Sequence, residues 1–198
     1  MGGEAEATIK LFSCYFAMLN GSNEPYRQAA CSFVSFTFAE NHCLLSVLIY
    51  TDGASRGNPG RGGWGAVLVW GKVEKELSEG YRLTTNNRME LLAVIRALEA
   101  LKRDNLEITV FSDSKYVVQS VEKGWVFGWV KKGFKDKKNE DLWRRFLQLN
   151  RKHHIRFQWV KGHAANPYNN RCDELATTAA DGKNLRIDEV YEKVYYGR

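Results

Sequence analysis

The sequence predicts an α/β fold: a five-stranded mixed sheet flanked by helices. Three observations carry that expectation. Short apolar runs at 47–52, 108–112 and 155–160 are separated by helical stretches, so these strands should lie parallel. Two more strand-like segments follow the first run, joined to it and to each other by turn residues, as antiparallel neighbours are. The chain of 198 residues is 44% hydrophobic and 26% charged, which supplies one full core. No run approaches the ~18 apolar residues of a membrane span.

Taken in order, VLIYTD (47–52) reads as a buried strand ending in an acid. SRGNPGRGG reads as a turn-forming run, and GWGAVLVW as the second strand. Residues 72–83 alternate in parts and should pair antiparallel with it. TTNNRMELLAVIRALEALKR is the strongest helix, with Thr85, Asn86 and Asn87 offering capping oxygens and no Gly or Pro after them. The run 108–112 is a strand that again meets an acid, Asp113. Helices are expected over 114–122, 141–150 and 170–181, with a fifth strand at 155–160 between the last two.

Charge divides the chain. Residues 1–46 carry Lys10 and Arg27 against Glu4, Glu6, Glu24 and Glu40, a net of −2, while the remainder carries +8. A basic body suits a polyanion, nucleic acid before a membrane surface, although plain solubility accounts for charge alone equally well. Cys14, Cys31, Cys43 and Cys172 form no CxxC pair and no disulfide framework, which points to a reducing cytoplasmic setting. The apolar stretch 11–19 follows two glutamates and lacks a cleavage pattern, so it makes a poor export signal.

Four acids stand where such a fold builds a site. Asp52 and Asp113 lie at strand ends, Glu90 about one turn into a helix, and Asp173 at a helix start after a loop. One acid at a strand end is usually a turn or capping residue; four that converge on one sheet edge ask for another explanation. Clustered carboxylates raise one another's pKa unless cations neutralise them. Oxygen ligands suit Mg²⁺, with Mn²⁺ as a substitute. Two such ions about 4 Å apart activate water and stabilise a leaving oxygen, which implies phosphodiester hydrolysis. General-base and salt-bridge roles for the same acids stay open at this point.

Four motifs narrow the choice: YTDGASRGNPGRGGWGA, TNNRMELLAVIRALE, SDSKYVVQSV and WVKGHAANPYNNRCDELA, in that order. Together they resemble the bacterial ribonuclease H type 1 family over about residues 47–181. The resemblance implies a ribonuclease H-like fold and an endonuclease that hydrolyses the RNA strand of RNA–DNA hybrids, leaving 5′-phosphate and 3′-hydroxyl ends. It implies two Mg²⁺ ions, with Asp52 bridging them. Glu90 and Asp113 would bind the ion that activates water, and Asp173 the same ion or the second. His163 of VKGH would move a proton or assist product release. Ser55, Gly57, Asn58, Asn86 and Asn87 would read the hybrid's minor groove, where the 2′-OH separates RNA from DNA.

The segment GWVFGWVKKGFKDKKNEDLW resembles the family's basic protrusion, so Lys131, Lys132, Lys135, Lys137 and Lys138, with Trp125 and Trp129, would grip the DNA strand, and Asn139 is a further substrate-binding candidate. For Trp129 and Phe134 a core-anchoring role competes evenly with that reading. The segment is a few residues shorter than in some members, between Phe134 and Asp141. Lys115, expected on the substrate side, stands where a glutamine is frequent.

The expected organisation is an extension at 1–46, a catalytic domain at 47–182 and a C-terminal tail at 183–198, the last either loose or a short helix. The extension lacks the basic residues of a hybrid-binding module. It is an appendage, a docking segment, or translation from an upstream start; the abrupt change of texture near residue 47 favours the last. The protein should act as a cytoplasmic monomer on RNA–DNA hybrid, clearing replication primers and R-loops. The competing classes fit less well. A reverse-transcriptase fragment would carry polymerase remnants, a silent binding module would lack one of the acids, and a resolvase or transposase fits NNRMEL and VKGH poorly.

Overall fold

The computed structural model describes residues 46–162 and 166–197. Residues 1–45, which contain Cys14, Cys31 and Cys43, lie outside the described residues, as do His163 and Arg198. The strands are β1 (Ser46–Gly57), β2 (Gly60–Trp70), β3 (Val73–Thr84), β4 (Glu107–Ser112) and β5 (His154–Trp159). They form one sheet in the order β3-β2-β1-β4-β5. β1, β4 and β5 are parallel neighbours, and β2 and β3 run antiparallel, so the expected mixed sheet is found.

Six helices complete the described residues: α1 (Asn86–Glu99), α2 (Lys115–Glu122), α3 (Trp125–Lys131), α4 (Glu140–Asn150), α5 (Pro167–Ala180) and α6 (Glu189–Tyr196). None is long and apolar enough to cross a membrane.

One difference from the sequence reading comes from glycine. The turn expected in SRGNPGRGG is found but is confined to Asn58 and Pro59: β1 continues to Gly57, and β2 starts at Gly60 in unbroken register, Gly53 opposite Trp64 and Gly57 opposite Gly60. Helices lie directly on this ladder. A Cβ on Gly53 would sit 2.3 Å from the Glu90 amide nitrogen, so β1 meets the backbone of α1. On Gly63 and Gly65 it would lie 2.3 Å from the carbonyl oxygens of Ala176 and Cys172, so α5 rests on β2. Close backbone approach explains Gly53, Gly63 and Gly65, and the turn explains Gly57, whose φ is +101°.

Alternation along the strands divides the core between two faces. Val47, Ile49, Ala66 and Leu68 pack with α1 residues such as Leu91 and Ile95. Tyr50, Val67 and Val69 pack with Cys172 of α5. Trp143 and Phe146 of α4 are fully buried in the first cluster, and Trp143 meets Tyr116, Trp129 and Phe146 edge-on at 5.6–5.7 Å. That aromatic joint fixes α2, α3 and α4 to one another.

The segment after residue 182 folds back as one of the two expected alternatives, a short helix. Arg186 exchanges backbone hydrogen bonds with Gly80 and Arg82 at the edge of β3. Asp188 is buried, accepts from Arg88 at 2.6 Å and from the Thr84 hydroxyl at 2.9 Å, and Asp141 takes the other side of the Arg88 guanidinium at 2.7 Å. The arginine of the NNRMEL motif is thus a buried tie between α1, α4 and the C-terminal segment.

Candidate active site

Parallel pairing of β1 with β4 ends at Thr51 opposite Ser112, so Asp52 and Asp113 are the next residues of adjacent strands. β1 does not stop there, because its antiparallel pairing with β2 continues. Asp52 is therefore held within a strand, not at its end. α1 delivers Glu90 to the same place, one turn in, where Gly53 lets the helix backbone touch β1. Carboxylate oxygens of Asp52, Glu90 and Asp113 all lie within 4.8 Å of one another.

The fourth acid is placed differently from expectation. Asn166 caps α5, its Oδ1 accepting from Tyr168 and Asn169 amides at 3.0 and 3.2 Å, and Pro167 takes the first helical position. The helix thus starts three residues before the expected 170, and Asp173 lies in its second turn, not at its start. Asp173 stands outside the triad, but its charge still acts on Asp52.

The triad is electrostatically strained. Burial, then the Asp113 charge, push Asp52 up to about 7, against the pull of the Gly53 amide, which donates to its Oδ1 at 2.7 Å. Burial, then Asp52 and Asp113, hold Glu90 well above the usual carboxylate range, with Asn86 opposing through a 3.3 Å hydrogen bond. The other Glu90 oxygen, Oε2, is buried and has no hydrogen-bond partner among the described residues. Three converging carboxylates, one with an orphaned lone pair, fit a hard divalent cation, which would relieve both the repulsion and the unmet oxygen.

Expected substrate residues surround the triad unevenly. Ser55, Gly57 and Asn58 follow Asp52 along β1 into its turn, Gly57 and Asn58 being exposed. Asn86 and Asn87 open α1. Their expected capping role is not realised: Thr85 is the N-cap and its side chain makes no capping bond, leaving Asn86 for Glu90. A groove beside α1 is lined by Asn87, Lys115, Trp125, Trp129, Lys137, Lys138 and Asn139. Trp125 is exposed with Lys123 over its ring, whereas Trp129 is half-buried against Trp143. Phe134 is buried, which settles its role as an anchor.

Lys131 points elsewhere, into a separate hollow with Phe127, Val130 and Arg144, because α3 is a helix that turns it away from Lys137. Lys132 is exposed at the end of α3. The helix over WVFGWVK was not among those expected, because Gly124 and Gly128 weaken its helical signal. Tyr116 went unnoticed as well; its hydroxyl accepts from Trp143 Nε1 at 2.7 Å and Asn139 Nδ2 at 3.2 Å, fixing the groove floor. Gly162 approaches the triad too: a Cβ there would lie 2.4 Å from Asp113 Oδ2.

Fold and site together define a carboxylate-centred α/β enzyme. Residues 45–181 match the RNase H family model, and the chain belongs to that family, a hydrolase acting as a ribonuclease H. It is 52% identical over 150 residues to a Ribonuclease H of Syntrophus aciditrophicus, covering 73% of this chain and 86% of that one. It is also 52% identical to a Ribonuclease H of Lachnoclostridium phytofermentans, covering 75% of this chain and all of the relative. Among solved structures it is similar to LC9-RNase H1, described as a type 1 RNase H with the type 2 active-site motif (TM-score 0.64, 29% identity, 78% of this chain and 82% of that one). It is similar also to LC11-RNase H1 in complex with RNA/DNA hybrid (TM-score 0.52, 30% identity, 68% and 96% covered).

Proposed function

We propose that this protein hydrolyses the RNA strand of RNA–DNA hybrids with two divalent ions, Mg²⁺ in the cell, held by Asp52, Glu90, Asp113 and Asp173. The observation that carries the reading is the triad of buried Asp52 and Glu90 with half-buried Asp113, and its partnerless Glu90 oxygen. The relative solved with an RNA/DNA hybrid supports the substrate. When bound, Mg²⁺ supplies the positive charge that keeps the carboxylates ionised and the Lewis acidity that favours water attack on a phosphodiester.

The chain's own residues do the positioning. Asp52 and Asp113 present oxygens from neighbouring strands, and Glu90 from the helix crossing them. Asp173 adds negative charge from α5. Ser55, Gly57, Asn58, Asn86 and Asn87 lie along the side of the triad where a minor groove can be read, and an asparagine amide both donates to and accepts from a 2′-OH. Trp125, Trp129, Lys137, Lys138 and Asn139 form a basic aromatic groove suited to the phosphates of the other strand, with Lys131 and Lys132 adding longer-range charge. His163, next to the Gly162 that abuts Asp113, is assigned proton transfer or product release. The enzyme works as a cytoplasmic monomer that removes primers and R-loops, its catalytic domain being 47–182 with the segment after 182 as its structural closure.

The test is incubation with Mg²⁺ and labelled RNA–DNA hybrid, RNA–RNA duplex and DNA–DNA duplex. Cleavage confined to the hybrid's RNA, abolished by Asp52→Asn, is expected. Equal cutting of all three substrates, or none, sinks the proposal.

A further inference from the structure

Trp159 is the last residue of β5, directly opposite Ser112, with Asp113 the next residue along β4. It is 45% exposed, a large aromatic surface left in water at the rim of the acid site. Holding the sheet together does not account for it. Phe157 anchors β5 in the core, and the Val160 amide already closes the ladder by donating to the Ser112 carbonyl at 3.1 Å.

Two contacts give the indole a different use. Its Nε1–H donates to the main-chain carbonyl of Asp113 at 3.0 Å. Its ring face lies under the Lys115 ammonium, 5.6 Å from Nζ to the centroid. Lys115 also lines the groove that holds Lys137 and Lys138, and only Ser114 separates it from Asp113 in sequence. One side chain therefore touches the backbone of a triad acid and a cation facing the groove. Lysine has four rotatable carbons and would otherwise sample solvent widely; an aromatic face narrows that range. The arrangement depends on the lysine: a neutral glutamine amide at position 115 would offer the ring no cation to hold.

We propose that Trp159 is a positioning residue that fixes the Asp113 main chain where the carboxylate triad closes and holds Lys115 for a backbone phosphate of the bound strand at the mouth of the groove. The inference rests on the hybrid-cleavage reading above. Its two arms separate chemically. The Nε1–H is lost in Trp159→Phe, but a ring remains for Lys115. Lys115→Gln removes the cation and leaves the indole bond.

Two measurements that do not depend on turnover test it. Divalent-ion binding is followed by calorimetry with Mg²⁺ or Mn²⁺ on the otherwise wild-type chain. Hybrid binding is followed by fluorescence anisotropy in EDTA over a salt series, in an Asp52→Asn background. Trp159→Phe should weaken ion binding by about tenfold, the scale of losing a residue that orients a ligand, and keep the salt dependence of hybrid binding. Lys115→Gln should lower the slope of log affinity against log salt by about one phosphate contact and leave ion binding intact. Trp159→Ala should show both losses, with Phe restoring the slope. Unchanged ion affinity in Trp159→Phe, or an undiminished slope in both Trp159→Ala and Lys115→Gln, overturns the proposal. Failure of the wild-type chain to prefer hybrid over DNA duplex overturns the underlying functional reading instead.

Discussion

The Cα of Gly53 lies against the backbone of Glu90, with no room for a methyl group between them: a Cβ there would approach the Glu90 nitrogen to 2.3 Å and the Met89 carbonyl carbon to 2.6 Å. The glycine after Asp52 thus sets the distance between the strand that carries one acid and the helix that carries another. Gly53→Ala must push α1 away from β1. The expected cost is about 1–3 kcal/mol, typical of overpacking, and activity should fall by more than ~100-fold, since displacements near 1 Å are that expensive in a pre-set site. Thermal melting and hybrid cleavage on the same preparation check both. Activity near wild type would show that the triad tolerates the shift.

Asp52 imposes a pH dependence with a definite sign. Its pKa rises from an ordinary 3.8 to about 7 on folding, so between those values the folded chain holds more protons than the unfolded one. Stability from this group is greatest below pH ~4 and declines as pH rises toward 7. Without divalent ions the protein should melt at a lower temperature at pH 8 than at pH 5.5. Asp52→Asn should recover up to about 4 kcal/mol at pH 8, or ~8–16 °C, while losing catalysis. Mg²⁺ should raise the wild-type melting temperature at pH 8 and leave Asp52→Asn nearly unmoved. A variant that melts below wild type in EDTA at pH 8 would contradict this account.

Arg88 is 3% exposed between Asp141 and Asp188. Breaking a buried ion pair from one side leaves charge behind, so Arg88→Ala should cost about 3–5 kcal/mol. Asp188→Asn keeps an oxygen for Thr84 and should cost less. Denaturant melts of the two variants decide the order; equal or reversed losses would mean the arginine is not the centre of the tie.

The two faces of the basic segment should behave differently. Lys137 and Lys138 line the groove beside α1, whereas Lys131 lines the hollow with Phe127 and Arg144. Replacing Lys137 and Lys138 together by alanine should weaken hybrid binding and lower the salt slope by up to about two. Lys131→Ala should change both much less. A larger effect from Lys131 would put the second strand on the other face of α3.

Removal of residues 1–45, which precede β1, should leave hybrid cleavage nearly intact in a steady-state assay. A large loss would make the extension part of the working enzyme.

Strands were legible in the sequence because apolar runs such as VLIYTD and ITVFS announce buried β-structure, and the parallel set followed from the helices between them. The acids were legible too, because each alone has an ordinary turn or capping role but a set of four at one sheet edge does not. What stayed hidden depended on contacts between distant segments. The turn in SRGNPGRGG was legible, but nothing near Gly53, Gly63 and Gly65 signals that α1 and α5 will lie on them. Asp188, one hundred positions beyond Arg88, could not be connected with it by any local pattern. Trp159 passed for a strand residue, because its partners, the Asp113 carbonyl and the Lys115 ammonium, come from another strand and the helix after it.

That separation of Arg88 from Asp188 also orders events during biosynthesis. The amino-terminal part of the chain emerges from the ribosome first, so α1 is available to form while the acid that completes its arginine pair is still to be made. A nascent chain can assemble the sheet and bring Asp52 beside Glu90, yet it carries an arginine side chain with only Asp141 to meet it. The segment after residue 182 supplies both Asp188 and the edge contacts of Arg186. The segment that carries Asp188 thus acts as a latch on a site encoded far upstream.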